Sequence, residues 1–149
     1  MVEVAKGALN IVLRNDLAEI ERLALLVDDF CESQEIPLQA AYHLNLVLDE
    51  LVTNIVSYGY DADAGDREIR ISLRREPEAL HVEVEDDGRA FNPLEVPPPD
   101  IDAPLESRPI GGLGVHFLRT LMDDLCYRRE NGRNRLCFRK PLTQNSTAG

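Results

Sequence analysis

Glu50 and Asn54 stand one helical turn apart in a stretch whose apolar residues, Leu44, Val47, Leu48, Leu51, Val52 and Ile55, recur at helical spacing. At about 100° per residue, Asn45, Asp49, Glu50, Thr53, Asn54 and Ser57 fall on the other side of that helix. Glu50 and Asn54 lie near the boundary of the two faces. A carboxylate there is half-shielded from water, which raises its basicity. The neutral oxygen of Asn54 suits a hard cation such as magnesium. Further on, the alternation Leu80, Val82, Val84 runs into Asp86-Asp87-Gly88, so a strand ends in a carboxylate at a sheet rim. Such an acceptor can receive an exocyclic amine, as on adenine, and Gly88 removes a side chain where the base would approach. Gly111-Gly112-Leu113-Gly114 then opens another helical pattern. Backbone N–H groups of a glycine loop and of a helix N-terminus attract phosphate oxygens. Arg108, the nearest basic residue before these glycines, is the candidate contact for a terminal phosphate. Taken singly, each group is also what an ordinary helix face, an Asp-Gly turn or a glycine-initiated helix contains. Their order is that of a nucleotide site.

The elements that must position these groups are legible in outline. Ala8 to Arg14 reads as a strand with Leu9, Ile11 and Leu13 on one face. Asp16 and Glu19 have capping-box spacing ahead of a helix to about Glu32, with Leu17, Ile20, Leu23, Leu26, Val27 and Phe30 inward. Pro37 suits the start of the second helix, and Gly59 follows its expected last residue, Tyr58. Ile69, Ile71 and Leu73 alternate with polar residues, and so do Leu80, Val82 and Val84. A two-residue turn at Pro77-Glu78 sets Arg70 opposite Glu85, Ser72 opposite Glu83, Ile71 opposite Val84 and Leu73 opposite Val82. A helix is expected from Gly112 to about Asp124. A hairpin around Asn131-Gly132 follows, and it sets Cys126 opposite Cys137. The Pro- and acid-rich segment from 94 to 111 reads as a long functional loop, and 141–149 as a flexible tail.

Bulk composition narrows the function. The chain is expected to be one domain over 1–149, with its core at about 8–140. A net charge of −11 argues against a role resting on phosphate-backbone contacts, so no nucleic-acid partner is expected, and it disfavours anionic membrane surfaces. No apolar run is long enough to span a bilayer, and Met1 to Lys6 lacks the apolar core of a signal peptide. The three cysteines, Cys31, Cys126 and Cys137, are scattered without CxxC spacing, so neither a metal site nor a disulfide framework is expected from the sequence, and a reducing, cytoplasmic setting is.

Together the three groups resemble the motifs of the GHKL ATPases, the superfamily of gyrase, heat-shock chaperone, histidine kinase and mismatch-repair ATPase domains. Glu50-Leu51-Val52-Thr53-Asn54 resembles the first box, Asp86-x-Gly88-x-x-Phe91-Asn92-Pro93 the second and Gly112-Leu113-Gly114 the third. Leu48 to Asn54 with Gly59-Tyr60, and Leu121-Met122-Asp123-Asp124 before a Tyr/Arg-rich strand, are similar to the small anti-sigma factor serine/threonine kinases of bacterial partner switches. The resemblance covers about residues 8 to 140. It implies an α/β two-layer sandwich of the Bergerat type, with helices on one face of a mixed, largely antiparallel sheet. It also implies ATP and Mg²⁺ as ligands. Asn54 would hold the metal, Asp86 would bind adenine and Gly88 would make room for the base. Phe91, Gly111, Gly112, Leu113 and Gly114 would complete the nucleotide site, under a lid of residues 94–111. Glu50 would act as general base toward a serine of an anti-sigma-factor antagonist. A sigma factor is the implied second partner, and a homodimer is expected, with Leu46 and the strand edge near Ala8 as contact points. The alternative is a nucleotide-binding module that sequesters a partner without efficient phosphoryl transfer.

Overall fold

A computed structural model of the chain describes residues 2–61, 65, 67–95 and 112–142. The elements are β1 (Val2–Ala5), β2 (Ala8–Arg14), α1 (Glu19–Ser33), α2 (Leu38–Tyr58), β3 (Glu68–Glu76), β4 (Ala79–Asp86), α3 (Gly112–Leu121), β5 (Asp123–Glu130) and β6 (Arg133–Pro141). A 3-10 turn at Pro93–Glu95 follows β4. The six strands form one open sheet in the order β1-β2-β3-β4-β6-β5. The three helices pack on one of its faces.

All five pairings among the described residues are antiparallel, which corrects the expectation of a mixed sheet. The reason lies in the path of the chain. α3 carries the backbone back toward the start of β4, so β5 rises beside β4 in the same direction. The hairpin at Asn131-Gly132 then returns β6 between them, opposed to both. Asn131 and Gly132 have φ of 53° and 75°, the left-handed pair that a two-residue hairpin demands. The β3–β4 register is the one expected, with Arg70 opposite Glu85 and Ile71 opposite Val84.

The pleat sorts the sheet into a dry and a wet face. Leu9, Ile11 and Leu13 of β2 meet Leu73, Ile71 and Ile69 of β3, which meet Val82, Val84 and Asp86 of β4. Phe138, Leu136 and Asn134 of β6 complete the rows. Against this face α2 buries Ala40, Ala41, Leu44, Val47, Leu48, Leu51 and Val52. It lies between α1 and α3. The opposite face carries ion pairs such as Arg133–Glu85, Arg135–Glu83 and Arg139–Glu76.

Several boundaries differ from those expected. α1 begins at Glu19, not beside Asp16, and Leu17 is 52% exposed instead of inward. Asp16 Oδ1 accepts from the Ala18 N–H, while Glu19 Oε2 reaches back to the Arg14 N–H, so the two acids close a preliminary turn instead of a capping box. α3 ends at Leu121, three residues early, because Lys140 Nζ of β6 donates to the Leu121 carbonyl at 3.1 Å and the chain turns into β5. β1 was not anticipated. It covers the edge of β2, so the edge near Ala8 is not free for another copy. Pro141 belongs to β6, and the Leu142 N–H donates to the Glu78 carbonyl at 2.8 Å, so these two residues continue the sheet and are not part of a tail. Residues 96–111 of the expected lid and 143–149 of the tail lie outside the described residues. No helix among the described residues is long and apolar enough to cross a membrane.

Candidate functional site

Asp86 and Asn134 are the only buried polar or charged side chains among the described residues, at 5% and 7% exposed. They are register partners on β4 and β6. Each stands where its strand's apolar alternation would otherwise place a hydrophobic residue. Asp86 Oδ1 accepts from the Gly88 N–H at 2.8 Å and from Asn134 Nδ2 at 3.0 Å. Among the described residues both of its hydrogen bonds go to that oxygen. Asn134 Nδ2 also donates to the Arg89 carbonyl at 2.7 Å. Its Oδ1 accepts from the Phe91 N–H at 3.2 Å and the Tyr127 hydroxyl at 2.5 Å. Two of the amide's four polar contacts, to the Arg89 carbonyl and the Phe91 N–H, lock the loop after β4 onto β6, and the other two join it to Asp86 of β4 and Tyr127 of β5. Burial pushes the Asp86 carboxyl up from its ordinary range, with Asp87 adding to the rise. The hydrogen bonds from Asn134 and Gly88, and the Arg129 charge, oppose it. Such a carboxylate has been stripped of water without being given a counter-ion in contact. Groups of this kind are found where a ligand completes the hydrogen bonding.

Asp86 and Asn134 form the polar end of a cavity of about 280 Å³, close to the lower end of small-molecule sites. Leu51, Ile55, Val84, Val115 and Leu136 supply apolar walls. Asn54 and Phe91, both expected at the site, line the same cavity. Val115, in the first turn of α3, brings the helix that follows the glycines to its rim.

Glu50 lies beside the cavity and is not part of its lining. A Cβ built on Gly114 would stand 2.6 Å from Glu50 Cβ and 3.3 Å from Glu50 Oε2. The glycine therefore lets the first turn of α3 close onto α2 at the carboxylate. Burial raises the Glu50 carboxyl above the usual range, and the adjacent Asp49 raises it further. Thr53 Oγ1 donates to Asp49 at 3.2 Å and holds that neighbour in place.

Gly88 has a different constraint from the one expected. It is not among the cavity's lining residues. A Cβ there would meet the Gly59 carbonyl at 2.7 Å and Asp86 Oδ1 at 3.0 Å. Its role is to let the β4 loop approach the end of α2, where the Arg89 N–H donates to the Gly59 carbonyl at 2.8 Å. Arg129 fastens the loop from the other side by donating to the Gly88 carbonyl at 2.8 Å. Tyr60 does the same through Asp87 at 2.9 Å. Gly88→Ala is expected to destabilise the fold by about 1–3 kcal/mol, because the obstructing atom is backbone and cannot rotate away. Urea unfolding checks this. A wild-type midpoint would show that the loop can move aside.

Glu50, Asn54, Asp86, Phe91 and Gly114 are thus assembled at one place. Gly112 opens α3, while Gly111 and Arg108 fall outside the described residues. Asn134, Tyr127 and the end of α2 are the site residues that motif reading missed. For Asn134 a signal was present, since Asn134, Leu136 and Phe138 alternate on the dry face and an amide there needs partners.

Comparison with known proteins identifies the domain family of the chain. Residues 13–140 match the histidine kinase-like ATPase domain family. The chain is 36% identical over 93 residues to the serine-protein kinase RsbW of Bacillus mycoides, a match covering 60% of this chain and 57% of that one. The serine-protein kinase RsbW of Bacillus cereus strain AH187 is 37% identical over the same shares. The chain thus spans a little over half the length of these relatives. In fold it is similar to the histidine kinase domain of the blue-light activated histidine kinase from Erythrobacter litoralis. That likeness has a TM-score of 0.55 and 19% identity, over 97% of this chain and 68% of the other. With the boxes assembled around one cavity and the family match running across nearly the whole described core, the chain belongs to the histidine kinase-like ATPase domain family.

Proposed function

We propose that this protein is an ATP-dependent serine kinase that acts on a small antagonist protein of a cytoplasmic partner switch, and through it on a sigma factor. The observation that carries this reading is the placement of Glu50. A basic carboxylate sits beside an apolar cavity with a buried acceptor at one end and a helix N-terminus at its rim. A nucleotide fits this donor set. The apolar walls suit the faces of a purine, and Asp86 offers an acceptor to its amine. Asn54 contributes a neutral oxygen of the kind Mg²⁺ accepts. When bound, ATP would supply the phosphoryl group and Mg²⁺ the charge that its oxygens require.

The chain's own residues would do the rest. Asp86, held by Asn134 and Gly88, orients the base. The α3 N-terminus, brought close by Gly114, favours the anionic end. Glu50 would accept the serine hydroxyl proton while that oxygen bonds to the γ-phosphorus and the bond to ADP breaks, with ADP as the leaving group and the proton passing on to water. Phosphorylation would add about −1.5 to −2 charge to the antagonist and weaken its hold on an acidic kinase. The similarity to serine-protein kinases supports the same substrate class.

Transfer of label from γ-labelled ATP to candidate antagonist proteins tests the reading. Label on an antagonist serine is expected. Tight nucleotide binding with no transfer to any of them would instead make the chain a nucleotide-dependent binding module. The sequence Ile110-Gly111, which sets no basic residue directly before Gly112, favours that second reading.

Because Glu50 must be ionised to accept a proton, its raised pKa moves the acidic limb of the transfer rate above that of an ordinary glutamate. Asp49→Asn is expected to shift the limb downward, but not all the way, because burial is the larger cause. Single-turnover transfer measured against pH checks the sign. An upward shift would remove Asp49 as a contributor.

A further inference from the structure

We propose that His81, Glu83, Cys137 and Cys126 form a zinc site on the helix-free face of the sheet. Glu83 of β4 is the register partner of Cys137 of β6, and Cys137 is the partner of Cys126 of β5. One carboxylate and two thiols thus share a single row across three neighbouring strands. They face away from the helices, since their strand neighbours Val82, Val84, Leu136 and Phe138 are buried under them. His81 lies two residues along β4 on the same face. The ligating atoms of His81, Glu83 and Cys137 all lie within 4.8 Å of one another.

Donors on one tetrahedral zinc, at about 2.0–2.3 Å from the ion, lie roughly 3.3–3.8 Å apart. About 1 Å of closure is needed; the three side chains are half-exposed, and Glu83 would leave its pairing with Arg135 to make it. Cys126 is exposed at the end of the row; its sulfur lies outside the 4.8 Å group and would turn toward Cys137 to take the fourth position. A nitrogen, two sulfurs and an oxygen are a zinc-type donor set, not one for magnesium or calcium.

The register also separates a metal site from a disulfide. Glu130 and Arg133 close the two-residue turn, and hydrogen-bonded and non-hydrogen-bonded pairs alternate outward from them. Cys126 and Cys137 fall on a hydrogen-bonded pair. Directly opposite antiparallel pairs set their Cβ atoms about 4.5–5.5 Å apart, wider than the ~3.8 Å usual for a disulfide. Two thiolates on one ion tolerate the wider spacing.

The ion would share this face with three arginines, Arg74 and Arg139 as the register partners of His81 and Arg135 beside Glu83. Cys137 Sγ now donates to Glu83 Oε2 at 3.6 Å, and Glu83 Oε1 lies 3.3 Å from Arg135 Nε. Arg135 keeps Glu85 at 2.9 Å when Glu83 turns to the metal. Zinc entry would release the two thiol protons to solvent, and no redox change occurs.

The test uses the full chain, reduced and stripped with a chelator, and no nucleotide. Zinc is titrated against a chromophoric competitor, and Co²⁺ is used as a spectroscopic substitute. One ion per chain is expected, with the intense d–d and thiolate charge-transfer bands of a tetrahedral sulfur site. Loss of a direct ligand should cost at least as much as loss of a supporting partner, so His81→Ala, Cys137→Ser and Cys126→Ser should each weaken binding by about 10-fold to 100-fold or more. Asn54→Ala should leave it unchanged, which separates this site from the nucleotide cavity. Zinc affinity unmoved by His81→Ala or Cys137→Ser, cobalt spectra without thiolate bands, or a Cys126–Cys137 disulfide forming in place of metal binding would overturn the assignment. So would a wild-type affinity in Cys126→Ser, for the fourth ligand.

Discussion

Asp86→Asn is expected to lower nucleotide affinity by roughly 100-fold or more while leaving the melting temperature unchanged or higher. The two halves of this result have one cause. Asp86 Oδ1 already accepts from Gly88 and Asn134. An asparagine oxygen can accept the same two bonds, so the loop keeps its shape. The other position then changes from an acceptor to an NH₂ group, and a site built to receive an amine would present one. Sites that depend on a buried hydrogen bond reject the mismatched partner steeply. The stability half follows from linkage. Burial raises the folded-state pKa of Asp86, so this group stabilises the fold most when protonated, and that contribution is lost as pH rises through the folded pKa. A neutral amide removes that loss. Calorimetric titration with Mg-ATP and thermal melts of the ligand-free protein check both halves. Unchanged affinity would take Asp86 out of base recognition. A large fall in melting temperature would mean that the charge is a structural requirement.

Glu50→Gln is the second large effect. Phosphoryl transfer is expected to fall by about 10²–10⁴-fold, the usual range for loss of a general base, with nucleotide affinity changed by no more than about threefold. Glutamine is the informative replacement because Gly114 packs directly against the Glu50 stem. Alanine would remove that contact and loosen α3 together with the chemistry. Rapid-quench measurement of labelled transfer, paired with nucleotide titration, separates the two quantities. Transfer at the parental rate would remove Glu50 from the mechanism. A matched loss of binding would recast it as a scaffold for the first turn of α3.

Much of this site was legible in the sequence because its parts obey local rules. The β3–β4 register followed from one alternation of apolar residues, since a slip by one residue would turn Ile71 and Val84 toward water. The β5–β6 turn followed from Asn131-Gly132, a pair suited to positive φ at both positions. What escaped was set by distant partners. α3 stops where Lys140 of β6 reaches the Leu121 carbonyl, and nothing within the helix announces that contact. β1 exposes all four of its residues, so no burial pattern marks it as a strand. The packing need for Gly88 exists only once the end of α2 has been brought against it. Asn134 lay between these cases. Its misfit on an apolar face was readable, but its partner, sequence-distant Asp86, was not.

β6 follows every other described strand in the chain, yet it occupies an interior place in the sheet, between β4 and β5. During synthesis the first four strands and the first two helices leave the ribosome before Asn134, Leu136 and Phe138 exist to complete the pocket. A nascent chain stalled ahead of residue 133 has a bare edge on β4 and an Asp86 without its amide partner. The cavity is therefore complete only after the insertion of a single strand, the last in chain order among those described.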